Sequence, residues 1–183
     1  IPIASSSREI IYNTKISDQN WIDDHVNRIR QSYQGHPHFS EQILDHLFTN
    51  LTNGSSQDFT IVITRFLNRT CDLFGFSPNF VPAKDLENKL TVQSNAASKL
   101  VEISKAVDAD VYVSGANGKS YGVEEVFRDS GIRIMYHTPP TVAYPQKGQL
   151  SFVPNMGFLD AVFCIGLEPV KKIVNCPPSL KKS

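Results

Sequence analysis

Apolar residues in the first half of the chain recur at helical spacing. Trp21, Ile22, Val26, Ile29 and Tyr33 predict a helix that starts at a cap on Ser17 or Asp18 and is stopped by Gly35-His36-Pro37. Ser40 followed by Ile43, Leu44, Leu47, Phe48 and Leu51 predicts a second helix, closed by Asn53-Gly54-Ser55-Ser56. A third spans about Asp58 to Phe74, with Phe59, Val62, Ile63, Phe66, Leu67, Cys71 and Phe74 on its apolar side and Gly75 as its stop.

After Pro78 the pattern changes. Asn79-Phe-Val-Pro82 is a short strand candidate, limited by its proline to an end or an edge. Leu100, Ile103 and Val107 mark a helix from about Ala96, Asp110-Val-Tyr-Val113 a strand, Val123, Val126 and Phe127 a helix, and Ile132-Arg-Ile-Met-Tyr136 another strand. Strands alternating with helices over short connections predict an α/β fold: a Rossmann-like parallel sheet with flanking helices and an N-terminal helical region. Thr138 to Gly148 is a long loop stiffened by Pro139, Pro140 and Pro145. A helix from Asn155 through Phe158, Leu159, Val162 and Phe163 to Gly166 follows, and the basic tail over 177–183 is expected to fray. The whole chain, 1–183, is read as one domain.

Composition removes several functions. Lys plus Arg and Asp plus Glu number 18 each, so no net field favours nucleic acid or an anionic membrane. No apolar run reaches the ~18 residues of a membrane span. Cys71, Cys164 and Cys176 are widely spaced and odd in number, which points to neither a zinc site nor a disulfide framework, and a cytoplasmic compartment is expected. His25, His36, His38 and His46 fit no usual metal-ligand spacing, so no metal site is predicted.

The chemistry concentrates in Val113-Ser-Gly-Ala-Asn-Gly-Lys-Ser-Tyr-Gly122. It carries the Gly-Lys-Ser of a Walker loop but has Val113 where the first glycine belongs, which argues against a P-loop nucleotidase. Gly115 and Gly118 let backbone N–H groups approach a ligand, Ser114, Asn117, Ser120 and Tyr121 add hydrogen-bonding groups, and Lys119 adds a cation. At the carboxyl end of a strand such a turn suits a carboxylate or phosphate oxygen. Read without a ligand, it is a strand-to-helix connection with Ser120 as the cap. His137, ending the last strand, has the titration range of a general base. Asp160 sits in an apolar helix, where a carboxylate needs a partner, so it either ties the preceding loop or faces a site.

These residues together resemble the WbqC-like protein family of bacteria. The resemblance is most specific over Ala109 to Tyr121, Phe127 and Gly131-Ile132. It extends through Pro140, Tyr144-Pro145-Gln146, Phe152, Leu159-Asp160 and Gly166. Trp21, His25, Arg28 to Tyr33 and Pro37-His-Phe39 look like the family's helical region. The chain departs from the family pattern at Ala96-Ala-Ser-Lys99, at Gly157 where serine is common, and at its start, which is expected to lack an N-terminal strand and His-x-Pro segment.

The resemblance implies a role in O-antigen or other surface-polysaccharide synthesis, with transfer of an aminoacyl group such as glycyl to an aminosugar to form an amide. The partner is then a small molecule, an aminosugar or nucleotide-sugar, and ATP is a candidate co-substrate. On that reading Lys119, His137 and Asp160 are the catalytic candidates. Ser114, Gly115, Asn117, Gly118, Ser120 and Tyr121 bind the anion, while Tyr144 and Gln146 shape the acceptor pocket. The alternative is a non-catalytic sugar-nucleotide-binding or assembly protein of the same pathway.

Overall fold

The computed structural model describes residues 1–3, 13–18, 20–52, 58–91, 96–175 and 179–182. Contacts divide the chain, read above as one domain, into two compact units. One comprises residues 1–80 and 142–175, the other 81–141 and 176–183.

The first unit is helical. Its elements are α1 (Trp21–Tyr33), α2 (Glu41–Phe48), α3 (Phe59–Phe74), α6 (Phe158–Ile165) and α7 (Leu167–Val174). The three predicted N-terminal helices are present, each within a few residues of its expected start. The backbone N–H of Asn20, the N-cap of α1, donates to Asp18 Oδ1 at 2.9 Å. Helix α3 ends as expected at Gly75, whose φ of 81° is one that a side chain disfavours. There the N–H groups of Gly75 and Phe76 turn back to the carbonyls of Asp72 and Cys71 at 2.9 and 2.8 Å. The predicted stop of α2 at 53–56 lies outside the described residues.

The apolar stripes of these helices meet in one core. Leu44, Leu47, Phe48 and Leu51 pack with Val62 and Phe74 of α3 and with Val162 and Phe163 of α6. Phe163 is wholly buried, its ring 5.4 Å from Tyr33 and 5.2 Å from Phe39. Helix α6 begins at Phe158 rather than Asn155, which instead adopts a φ of 61°. Gly166 closes α6 and the chain at once restarts as α7, which the sequence pattern did not predict. Pro169 is tolerated there because it falls in the first turn, where its missing N–H has no intrahelical partner to lose. The ring of His38 lies over Gly166 at a distance where an added Cβ would meet Nδ1 at 3.3 Å.

The second unit holds α4 (Ala96–Ala106), β1 (Val111–Gly115), a 3-10 helix (Ala116–Tyr121), α5 (Val123–Arg128), β2 (Arg133–Thr138) and β3 (Ser179–Lys182). β1 and β2 are parallel, with Ser114 beside Tyr136 and Gly115 beside His137. β3 pairs antiparallel with β2, so the segment expected to fray takes part in the sheet. Among the described residues the sheet is therefore small, two parallel strands and the antiparallel β3 with flanking helices, and the full Rossmann-like array expected is not shown. Asn79 to Pro82 forms no strand; the chain there leads into a 3-10 helix over Ala83–Lys89. Helices α4 and α5 bury Ala97, Val101, Val123 and Phe127 against Ile132, Ile134 and Tyr136, and Tyr112 stacks on Phe127 at 4.7 Å. Side chains on successive strand residues face opposite ways, and Val113 on the other face is 54% exposed.

Candidate functional site

The turn after β1 sits at the carboxyl end of the parallel pair, as the sequence pattern predicts. Residues 116–121 wind into a 3-10 helix before α5, with Gly122 at a φ of 66° between the two. Ser114 is buried and its hydroxyl donates to the Gly115 carbonyl at 3.2 Å. Gly118 passes directly over it. A Cβ at position 118 would collide with Ser114 Oγ, so close packing, rather than an unusual φ, calls for glycine. Asn117 is exposed. The side chains of Ser120 and Tyr121, also predicted to bind ligand, lie outside what the structure describes.

Lys119 extends its ammonium over the ring of Tyr136, 4.7 Å from the centroid, which fixes a cation against the end of β2. Tyr136 was not among the predicted residues. Among the described residues its buried hydroxyl makes no hydrogen bond of normal geometry. Burial first, then the Glu124 carboxylate, pushes its phenol up to about 12. Its alternation with His137 on β2 is the one sequence signal that could have marked it.

His137 is half-buried, and its Nδ1 is enclosed without a hydrogen-bond partner among the described residues. Because Tyr136 and His137 are consecutive on a strand, they face opposite sides of the sheet. Lys119 accompanies Tyr136, so the ammonium and the imidazole are not gathered on one face.

Asp160, Tyr144 and Gln146 belong to the helical unit. Asp160 is 7% exposed in the first turn of α6, and both its oxygens are used. Oδ2 accepts from Tyr144 Oη at 2.7 Å and from Gln146 Nε2 at 3.0 Å; Oδ1 accepts from Tyr33 Oη at 3.3 Å. Gln146 also donates to the Val153 carbonyl at 3.1 Å and accepts from the Val153 N–H at 2.7 Å. Tyr144 meets Phe152 edge-on at 5.2 Å, and Lys147 donates to the Gly35 carbonyl. One carboxylate thus ties the loop before α6 to α1. Burial, then the Asp160 carboxylate, pushes the Tyr144 phenol up to about 12 and raises that of Tyr33. Burial also raises the Cys164 thiol, which makes it a poor nucleophile at neutral pH.

A cavity of about 540 Å³ lies elsewhere in the sheet unit, walled by α5, the turn after it and the first half of β2. Sequence reasoning did not foresee it, since its walls come together only when α5 docks on the strand. Among the described residues no group of three His, Cys, Asp or Glu is placed to hold a metal ion. No helix among them is long and apolar enough to cross a membrane.

Comparison with known proteins places this architecture. An uncharacterized protein of Mycobacterium tuberculosis (strain ATCC 25618 / H37Rv), Rv1507c, is 26% identical over 172 residues, a stretch covering 92% of this chain and 71% of that protein. No solved structure matches the chain. The profile of the WbqC-like protein family matches residues 1–172, which takes in the glycine turn, the Asp160 hub and the helical region alike, and the chain therefore belongs to that family.

Proposed function

We propose that the protein acts in the synthesis of a bacterial surface polysaccharide such as O-antigen, where it transfers an aminoacyl group, glycyl for example, to an aminosugar. Family membership supports the polysaccharide-related setting. One observation carries the chemical part: the Lys119 ammonium, held over Tyr136 beside a turn that Gly118 packs tightly onto β1. That is a positioned cation at the carboxyl end of two parallel strands, where α/β proteins bind anionic ligands.

In the reaction the sugar amine attacks the acyl carbonyl of an activated donor, an acyl-adenylate formed with ATP. The C–N bond forms, the carbonyl C–O bond to the phosphate breaks, and the amine's proton leaves to solvent or a base. Lys119 stabilises the negative charge on the departing phosphate, a contribution that needs no covalent intermediate with the protein. His137, on the opposite face of β2 from Tyr136, takes no part in that contact. Asp160, with Tyr144 and Gln146, positions the loop before α6 rather than reacting.

Incubating the protein with ATP, glycine and a nucleotide-activated aminosugar is expected to give a product heavier by one glycyl residue. Lys119→Ala should slow its formation at least about tenfold. A second reading, a non-catalytic sugar-nucleotide-binding or assembly protein of the same pathway, is favoured by the separation of Lys119 from His137. Calorimetric binding of the nucleotide-sugar with no product from any acyl donor would select it.

A further inference from the structure

The cavity beside β2 combines three kinds of wall. Phe127, Ile132 and Ile134, from the face on which α5 packs, give it apolar lining, and Met135 lines it from the other side of the strand. Arg128 at the end of α5, Arg133 at the start of β2 and Glu124, one helical turn before Arg128, are its charged lining residues. Arg128 makes no ion pair with any described residue, and Arg133 has only the exposed Asp110 at 3.4 Å. Such a pair is worth little against solvent, so both guanidiniums are open to a better partner. The volume, about 540 Å³, is in the range of small-molecule pockets.

Arginine forks match phosphate oxygens in geometry as well as charge. A bare anion would be opposed by Glu124, whereas a ligand that also carries hydroxyl or amino donors would satisfy it. The apolar lining then suits the flat side of a sugar or base ring. From these walls we infer a second ligand site, for an organic phosphate bearing hydroxyl or amino groups, between α5 and the amino-terminal half of β2. Its arginines lie towards the amino-terminal end of β2, whereas the glycine turn lies against Tyr136 towards the other end, with Glu124 adjoining both. The site does not depend on the aminoacyl-transfer reading.

The test is calorimetry at low salt with uridine diphosphate as the probe, carried out in a chain that already bears Lys119→Ala so that the turn contributes no cation. Binding should persist in that background. Adding Arg128→Ala or Arg133→Ala should weaken it at least about tenfold, the loss expected for a charge-assisted contact. Both arginines are exposed, so thermal melts should match the parent and show that the fold is intact. Inorganic phosphate should bind more weakly than uridine diphosphate.

Several results would overturn the site. They are no heat from the Lys119→Ala chain, equal affinity with and without the arginines, or inorganic phosphate binding as tightly as the nucleotide. Binding by the unsubstituted chain that vanishes with Lys119→Ala alone would assign the phosphate to the glycine turn. That outcome sinks this inference while leaving the proposed function standing.

Discussion

The two units differ in how their charged groups are met. In the helical unit the one buried carboxylate among the described residues, Asp160, has donors on both oxygens, and those donors are themselves engaged: Gln146 also clasps Val153, and Tyr144 packs on Phe152. In the sheet unit the corresponding groups are left open. Among the described residues Lys119 meets an aromatic face and no carboxylate, Arg128 has no ion-pair partner, and Nδ1 of His137 is enclosed without a hydrogen bond. Buried polar groups ordinarily find partners. The contrast concerns charges, since Trp21 Nε1, His36 Nδ1 and Thr60 Oγ1 of the helical unit are also buried without a hydrogen-bond partner among the described residues. A carboxylate met on both oxygens holds a shape, and cations left open are equipped to meet a ligand.

The sharpest way to break this contrast is to remove the hub. Asp160→Ala strands two tyrosine hydroxyls and an amide, and should cost about 3 kcal/mol of stability by chemical denaturation. Binding of uridine diphosphate under conditions where the fold survives should stay within about twofold of the parent. A variant that folds normally but loses all binding would make Asp160 part of a ligand site and erase the distinction.

A smaller effect is expected in the sheet unit from Gly118→Ala. The added methyl would fall on Ser114 Oγ, so the buried serine must rotate or the turn must lift. Overpacking of this kind costs about 1–2 kcal/mol. Ser114→Gly in the same chain should recover most of that loss, because it removes both the Oγ and the Cβ that stand in the way. If the double variant is no more stable than Gly118→Ala alone, the glycine is needed for some other reason than close approach.

Both units show how far the pattern of residues reaches. Helix α3 was legible at its end because Gly75 acts on its own backbone through a left-handed φ, whereas Asp58 stands at the N-cap without a side-chain cap bond and pairs with Lys15 instead. β1 and β2 were legible as short apolar runs between turns, and their parallel pairing followed from the helix between them. Helix α7 was not, since a glycine and then a proline ordinarily announce an end, and only φ 91° at Gly166 with Pro169 in the first turn reconciles them with a restart. Asn79 to Pro82 carried strand-forming residues but no neighbour to pair with. The glycine turn was found from spacing, yet its partner Tyr136 was not, because Lys119 and Tyr136 are brought together by strand pairing. The same holds for Arg128 and Arg133, which come to line one cavity only after α5 has packed.

The smallest expected effect is a titration, and it separates the units by the carboxylate involved. Tyr144 in the helical unit and Tyr136 in the sheet unit both ionise at about 12 in the folded chain, against 10.0 for a free phenol. A phenol raised on folding contributes stability that is fully present below pH 10. That contribution fades as the pH climbs through 12, because the unfolded chain releases the proton first. Thermal stability should thus decline above pH 10, and tyrosinate absorbance of the native protein should show phenols that ionise late. Burial is the larger cause at both positions, so each shift should shrink rather than vanish when its carboxylate is neutralised. Asp160→Asn should bring Tyr144 down and leave Tyr136 where it is, while Glu124→Gln should do the reverse, with Tyr144→Phe and Tyr136→Phe identifying which phenol moved. If either carboxylate shifted both phenols, the two units would share one electrostatic environment and the contrast between a closed hub and an open site would fail.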